Sequence, residues 1–176
     1  SKIASSSPEV VDLGEAVGAF AEETTPRLGA EEVALRVRAD EGDHRITADP
    51  NQVRRILVNL VENAVDAVAS DEPGEEKRAR RATVTLMVRR MRRSIKLTVK
   101  DNGPGIPEDL RERVFEPFFT SKAGGSGLGL YLVREIVLAS GGTMSLSSGE
   151  RGTSVSMRWP FAELDTKETN TPAASA

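Results

Sequence analysis

The sequence predicts a two-layer α/β sandwich, in which a mixed, mostly antiparallel sheet is covered on one face by about three helices. Two patterns indicate this class. Segments with the three-and-four spacing of a helix alternate with segments in which every second residue is apolar. Several strand-like segments are also joined by short turns typical of hairpins. With 176 residues, 38% of them hydrophobic, the chain is long enough for one domain with a buried core.

The first half of the chain begins with a helix signal. Asp12 and Glu15 form a capping box that opens a helix to about Arg27. Short strands are predicted over residues 33–38 and 46–48. Asp49, a favourable N-cap, then precedes Pro50 at the first helical position, which predicts the start of a long helix.

The second half contains two alternating segments, 84–88 and 95–99, which predict adjacent strands with one buried face. A short helix is expected over residues 107–114 and a longer one over 127–140, where Gly141-Gly142 would end it. The last strands are expected at 144–146 and 155–159. We expect the folded domain to cover residues 10–161, because residues 1–9 and 162–176 have little to bury and are typical of disorder or linkers.

The long helix carries a polar row at Asn59, Asn63 and Asp66, on a different face from the apolar residues that recur between Val53 and Val68. Asn is a mediocre helix former, so a role other than helicity is indicated. Amide and carboxylate oxygens without Cys or clustered His suit a hard cation such as Mg²⁺, which usually accompanies phosphates. The alternative is an ordinary solvated helix face.

Two glycine-rich segments follow this helix. In Asp101-Asn102-Gly103-Pro104-Gly105-Ile106, the carboxylate ends a strand and the glycines allow a flat ring to approach the backbone. A carboxylate acceptor is what the exocyclic amine of adenine requires. The alternative is a simple turn, since the segment is dense in turn formers.

The second glycine-rich segment, Gly125-Ser126-Gly127-Leu128-Gly129-Leu130, directly precedes a predicted helix and can present backbone N–H groups to phosphates. A P-loop is excluded because its Gly-Lys-Ser/Thr ending is absent. A dinucleotide fingerprint is excluded because Leu132 stands where a third glycine is needed.

With Phe115-Glu116-Pro117-Phe118-Phe119-Thr120 between them, these segments resemble, in order and spacing, the ATP-binding domain of sensor histidine kinases. That family calls them the N box, first glycine box, F box and second glycine box, and Gly152-Thr153 is similar to its final glycine element. The resemblance runs from about residue 10 to 160. It implies the Bergerat fold of the GHKL superfamily, which also includes gyrase, mismatch-repair and heat-shock-chaperone ATPases.

The resemblance implies ATP and Mg²⁺ as cofactors, bound between the helices and a short lid over residues 119–124. Asp101 would contact adenine, and Asn63, assisted by Asn59, would hold Mg²⁺. Lys122 would meet the terminal phosphates, the alternative being a surface lysine, and Asn59 and Lys122 are the candidate transition-state residues. The full set of expected nucleotide-binding residues is Asn59, Asn63, Asp66, Asp101, Gly103, Gly105, Ile106, Phe118, Thr120, Ser121, Lys122, Gly125, Ser126, Gly127, Leu128, Gly129, Leu130 and Thr153.

The family's phosphoacceptor histidine has no match here. His44 lies outside any predicted long helix, and we interpret it as a loop residue. The chain is therefore expected to be the nucleotide-binding half of a protein-histidine kinase, with its histidine on a dimerisation domain outside the chain and a response regulator downstream. Residues 10–13 are similar to the segment that follows the dimerisation hairpin, so residues 1–9 would link to it.

Two alternatives remain from the sequence: a gyrase-like ATPase or ATP-gated clamp, and a nucleotide-binding regulator or anti-sigma-type serine kinase. Hydrolysing relatives place a general-base Glu where this chain has Asn59, which cannot accept a proton from water. Glu62 is about 100° around the helix from Asn63 and would point elsewhere.

Asp66 replaces the Lys or Arg of many sensor kinases, which leaves Lys122 as the main cation for the phosphates. The F-box phenylalanines are expected to anchor the lid on the core.

The chain's charge does not favour a nucleic-acid partner, because the net charge is −3 and the basic run at 77–81 follows several acidic residues. No apolar run approaches the about 18 residues of a membrane span. The chain contains no cysteine, which fits a reducing compartment. We therefore expect a cytoplasmic segment without direct membrane contact, whose parent protein could still be membrane-anchored.

Overall fold

The computed structural model describes residues 6–69, 81–120 and 125–163. The elements in chain order are β1 (Glu9–Asp12), α1 (Leu13–Ala30), β2 (Ala34–Ala39), β3 (Arg45–Ala48), α2 (Pro50–Ala69), β4 (Thr83–Arg90), β5 (Ile95–Asp101), α3 (Gly129–Ala139), β6 (Thr143–Gly149) and β7 (Gly152–Trp159).

Five strands form the main sheet, in the order β2-β4-β5-β7-β6. The β2–β4 pair is parallel and every other neighbouring pair is antiparallel, which confirms the predicted mixed, mostly antiparallel sheet. β1 and β3 form a separate two-stranded antiparallel sheet. β1 was not predicted, because only Val11 of its four residues is buried and no alternation is visible.

The helices α1, α2 and α3 cover one face of the main sheet. Every second side chain of β4, β5 and β7 points to that face, where Leu86, Leu97 and Met157 are fully buried. From α2, Leu57 and Val61 belong to the same hydrophobic core. The predicted two-layer sandwich is confirmed.

A hydrogen bond fastens the last strand to the last helix. Trp159, at the end of β7, is buried, and its indole Nε1 donates to Ser140 Oγ at 2.8 Å. Ser140 follows directly after α3 and ends it, so the sheet and the helix layer are joined at this corner of the core.

Both predicted helix starts are held by their aspartates. Asp12 Oδ1 accepts a hydrogen bond from Glu15 N at 3.1 Å, and Asp49 Oδ1 accepts from Asn51 N at 2.8 Å. Asp49 Oδ2 also accepts from Ser7 N at 3.0 Å, so the segment before β1 is fastened to the start of α2. α1 continues to Ala30, beyond the predicted end at about residue 27.

The predicted helix over residues 107–114 is wrong. This segment forms only two single-turn 3₁₀ segments, Glu108–Leu110 and Arg113–Phe115. Neither has a side-chain cap or a buried residue, so no tertiary packing offsets the cost of nucleating a longer helix. α3 begins at Gly129 rather than at residue 127, because Gly127 has a φ of +66° and cannot belong to a right-handed helix. Among the described residues, none of the helices combines the length and apolar character needed to cross a bilayer.

Candidate nucleotide-binding site

Asp101 lies at the end of β5 with only 6% of its surface exposed. Its Oδ1 accepts hydrogen bonds from Gly103 N at 2.9 Å and from Thr153 N at 3.1 Å. Burial raises the pKa of Asp101, and these two N–H groups oppose that shift by stabilising the carboxylate. Because both bonds reach Oδ1, Oδ2 is the oxygen that can accept a hydrogen bond from a ligand.

Asp101 opens into a small cavity of about 70 Å³ between α2, α3 and the sheet. Four other residues of the predicted site line the same cavity: Asn63, Ile106, Leu130 and Thr153. The remaining lining is apolar and comes from Leu60, Ala64, Val99, Leu146 and Val155. Apolar walls beside a buried carboxylate match the edge of a flat ring that carries a hydrogen-bond donor, and this cavity, smaller than a usual ligand pocket, would admit that edge rather than a whole nucleotide.

The loop of the first glycine-rich segment is held against the end of β6. Gly105 has a φ of +80°, and a Cβ placed there would lie 2.1 Å from Gly149 O. Ile106 N donates to Ser148 Oγ at 2.8 Å, and Ser148 Oγ also bonds to Thr153 Oγ1 at 2.8 Å. Ser148 was not among the expected site residues, since no local sequence pattern distinguishes it from its neighbour Ser147.

The two asparagines of α2 lie next to Gly129, the first residue of α3. A Cβ atom added to Gly129 would be 3.1 Å from Asn59 Oδ1 and 3.6 Å from Asn63 Nδ2. Asn59 Nδ2 donates to Arg55 O at 2.8 Å, within the helix. The predicted polar row and the second glycine-rich segment are therefore neighbours, and Gly129 allows this close approach. Asp66, also in the row, is exposed.

Glu62 points away from this row, as predicted, and forms an ion pair with Arg27 of α1. Within the described ranges, no group of three or more His, Cys, Asp or Glu side chains could hold a metal ion. A cation at the asparagines would therefore take amide oxygen from the protein and its other ligands from phosphates and water. That donor set fits Mg²⁺ brought by a nucleotide.

The second glycine-rich segment packs on the backbone of the F-box segment. A Cβ on Gly127 would lie 2.4 Å from the carbonyl carbon of Phe118, so only glycine fits this contact. Leu128 N, just before the first turn of α3, donates to Ser126 Oγ at 3.4 Å. Gly125 and Ser126 are exposed. The start of α3 thus lies beside the two asparagines of α2, and the backbone N–H groups at the start of a helix generally attract anions.

Comparison with known proteins agrees with this geometry. Residues 48–163 match the family model described as histidine kinase-, DNA gyrase B- and HSP90-like ATPase. The chain belongs to this ATPase family. Within the family, the curated relatives that it matches include several sensor histidine kinases, so the domain is the ATP-binding catalytic domain of the histidine-kinase type.

Two of those relatives are much longer than this chain. The C4-dicarboxylate transport sensor protein DctB of Rhizobium meliloti is 40% identical over 119 residues, which cover 66% of this chain and 18% of DctB. The sensor histidine kinase ZraS of Escherichia coli K12 is 30% identical over 160 residues, covering 91% of this chain and 32% of ZraS. The chain therefore spans less than a third of the length of either relative.

Solved structures show the same fold. The catalytic domain of histidine kinase ThkA, in a nucleotide-free form, has a TM-score of 0.75 and 27% identity, covering 89% of this chain and 97% of that one. The mycobacterial sensor histidine kinase MprB has a TM-score of 0.71 and 26% identity, with 90% and 100% covered. Both confirm the predicted Bergerat fold of the GHKL superfamily.

The F box differs from the sequence-based expectation. Phe118 does not pack on the core: it is 75% exposed and has a φ of +65°. Phe119 instead stacks against Arg113, whose Cζ is 4.5 Å from the ring centroid, and the ring centroid of Phe115 lies 5.9 Å from Arg134 Cζ. Residues 104–120 contain no fully buried side chain, so this segment follows the surface.

The remaining predicted lid residues are only partly described. Thr120 is exposed, whereas Ser121 and Lys122 lie outside the described residues.

His44 lies in a loop, as predicted, but is only 4% exposed. Its Nε2 is 2.7 Å from Asp40 Oδ1, and this hydrogen bond lowers the pKa of Asp40. His44 O also accepts a hydrogen bond from Leu13 N, so the histidine fastens the start of α1.

Proposed function

We propose that this domain binds Mg-ATP and delivers the γ-phosphoryl group to a histidine on a dimerisation domain outside the chain. The observation that carries the proposal is the cavity lined by the buried Asp101, whose carboxylate would accept a hydrogen bond from the exocyclic amine of adenine through Oδ2. Asp101 would also select adenine over guanine, which presents a carbonyl oxygen instead of an amine at the corresponding ring position.

The phosphates would extend from this cavity toward Asn59, Asn63 and the start of α3. Asn63, with Asn59 beside it, would hold Mg²⁺ through an amide oxygen, and Mg²⁺ would neutralise phosphate charge there. The α3 N–H groups would bind phosphate oxygens, and Lys122 would add positive charge in the transition state. Catalysis would rest on positioning and on charge stabilisation, as phosphoryl transfer requires little covalent chemistry from the protein.

The polar face of α2 supports transfer to a partner over hydrolysis. Asn59 stands at the position of the general base in hydrolysing relatives and cannot accept a proton from water. Glu62, the nearest carboxylate in sequence, is paired with Arg27 on the side of α1. We therefore favour the kinase over the gyrase-like ATPase. The partners would be the histidine-bearing domain and then a response regulator, in the cytoplasm.

A labelling experiment in trans tests the proposal. The chain is incubated with γ-labelled ATP, Mg²⁺ and the separately produced dimerisation hairpin of its parent protein, with a hairpin lacking the histidine as the control. Acid-labile, base-stable label on the intact hairpin alone is expected. Steady phosphate release without a hairpin would support an ATPase, and ATP binding without either reaction would support a regulator.

A further inference from the structure

The sheet face opposite the helices is strongly cationic. Side chains alternate along a strand. In β4 the buried Val84, Leu86 and Val88 face the helices, so the residues between them point away from the helices. The residues paired with those outward-pointing positions in the other strands lie on the same outer face. The cations that occupy this outer face are Arg36, Arg38, Arg89, Lys96, Lys100 and Arg158. All but the half-buried Lys96 are exposed.

The strand register places three of these cations in one row. Arg89 is directly opposite Lys96, and Lys96 is directly opposite Arg158 on the next strand. Like charges in directly opposite positions of an antiparallel sheet repel and destabilise it. Arg92 and Arg93, in the turn between β4 and β5, extend the same cationic end of the sheet.

No acidic residue of the described strands offsets this row on the outer face. The other strand positions that share the face are small, hydroxyl-bearing or Met87, with Thr98 and Ser156 hydrogen-bonded at its centre at 3.0 Å. Asp40, which directly follows β2, is hydrogen-bonded to His44 Nε2 and accepts a hydrogen bond from Arg90 N. Among residues 6–69, 81–120 and 125–163, no ion pair involves any of the outer-face cations.

We propose that this outer sheet face is a docking surface for an acidic protein surface, one that presents Asp and Glu carboxylates. The forked guanidinium groups and the hydroxyl rows match carboxylates in geometry and hydrogen-bonding capacity. A partner would also relieve the repulsion within the row of Arg89, Lys96 and Arg158. Since the described part of the face has no aromatic side chain and the partly buried Met87 is its only large apolar one, the contact is transient and electrostatically steered.

Other polyanions fit this face less well. A nucleic-acid strand would find no aromatic side chain on which to stack a base, and the net charge of −3 repels it beyond the face itself. A bilayer is planar, whereas a five-stranded sheet twists by roughly 20–25° at each strand, so its cations do not share a plane. A compact acidic domain can follow the twisted surface.

The test uses a fluorescent oligoglutamate peptide as the carboxylate probe and compares the natural chain with two single charge reversals. Lys96→Glu changes the centre of the row, and Arg55→Glu makes the same charge change on the exposed side of α2. The natural chain should bind the peptide at low salt and release it as salt rises. Lys96→Glu should weaken binding by about fivefold or more, while Arg55→Glu should leave it within about twofold.

A thermal melt provides a readout without any ligand. Lys96→Glu turns two repulsive cross-strand pairs into attractive ones, so its melting temperature should rise by about 2 °C or more, unlike that of Arg55→Glu. Equal weakening of peptide binding by both reversals, or no binding at low salt, overturns the proposal. Binding to phosphatidylserine vesicles or to an oligothymidylate strand, without peptide binding, assigns the face to another partner class and also overturns it.

Discussion

Asp101 Oδ1 accepts a hydrogen bond from Thr153 N at 3.1 Å, which joins the end of β5 to the start of β7 across 52 residues of sequence. This contact extends the antiparallel pairing of β5 and β7, which ends at Lys100 and Ser154, to the residues that line the cavity. Together with the bond from Gly103 N, it restrains the carboxylate through Oδ1, which leaves Oδ2 for the proposed contact with adenine. Preorganisation of this kind lowers the entropy cost of binding.

The first prediction concerns adenine recognition. Asp101→Asn replaces one acceptor oxygen by an amide donor, and the loss of a buried hydrogen bond should cost about 1–3 kcal/mol. ATP binding, measured by calorimetry with a non-hydrolysable analogue, should weaken by about tenfold or more. Asp109→Asn, at an exposed position of a 3₁₀ segment, is the matched control. An Asp101→Asn protein with normal affinity would show that this segment is only a turn.

A second prediction concerns the metal. Asn63→Ala should weaken nucleotide binding by about tenfold in Mg²⁺ but have little effect in EDTA, because only the metal-bridged contact is removed. Asn51→Ala, near the opposite end of the same helix, should leave both titrations unchanged. The assignment of Asn63 as a ligand fails if the two conditions give equal losses.

A third prediction concerns the glycine at the first loop. Gly105→Ala places a Cβ against Gly149 O at a φ of +80°, so it should lower the free energy of unfolding by about 2 kcal/mol or more. Gly18→Ala, in α1, meets no atom within 4 Å and should instead raise it by about 0.5–1 kcal/mol. Chemical denaturation measures both. Equal stability of the two variants would contradict the tight contact between the loop and the end of β6.

The fourth prediction concerns acid stability. The hydrogen bonds from Ser7 N and from the first turn of α2 stabilise the Asp49 carboxylate and lower its pKa from the usual value. A lowered folded-state pKa gives stability that is present above the unfolded pKa of about 3.9 and is lost as the pH falls through the folded value.

Asp49→Asn should therefore lower the denaturation midpoint at neutral pH, and the difference from the natural chain should shrink as the pH falls below about 4. Denaturant titrations at several pH values measure this difference. Asp109→Asn serves again as the control, and a constant gap between the Asp49→Asn and natural chains at all pH values would exclude the linkage.

The sequence by itself determined which residues share a face of one element. The apolar spacing and the Asp49-Pro50 start defined α2, and this was enough to place Asn59 and Asn63 on one polar face and Glu62 on another. The alternation before Asp101 likewise predicted a strand that ends at the carboxylate. These properties depend on neighbours within a few residues, whose periodicity the chain displays directly.

Only the tertiary structure decided which of these elements meet. The approach of Gly129 to Asn59, the bonds of Ser148 to Ile106 and Thr153, and the cationic row of the outer sheet face all depend on pairing between distant strands or helices. The lack of an α-helix over residues 107–114 is also a tertiary effect. Short helices form where packing against other elements stabilises them, and the two 3₁₀ segments there bury no residue. Local sequence encodes which side chains share a face of one element, whereas the contacts between elements are set by the packing of the whole chain.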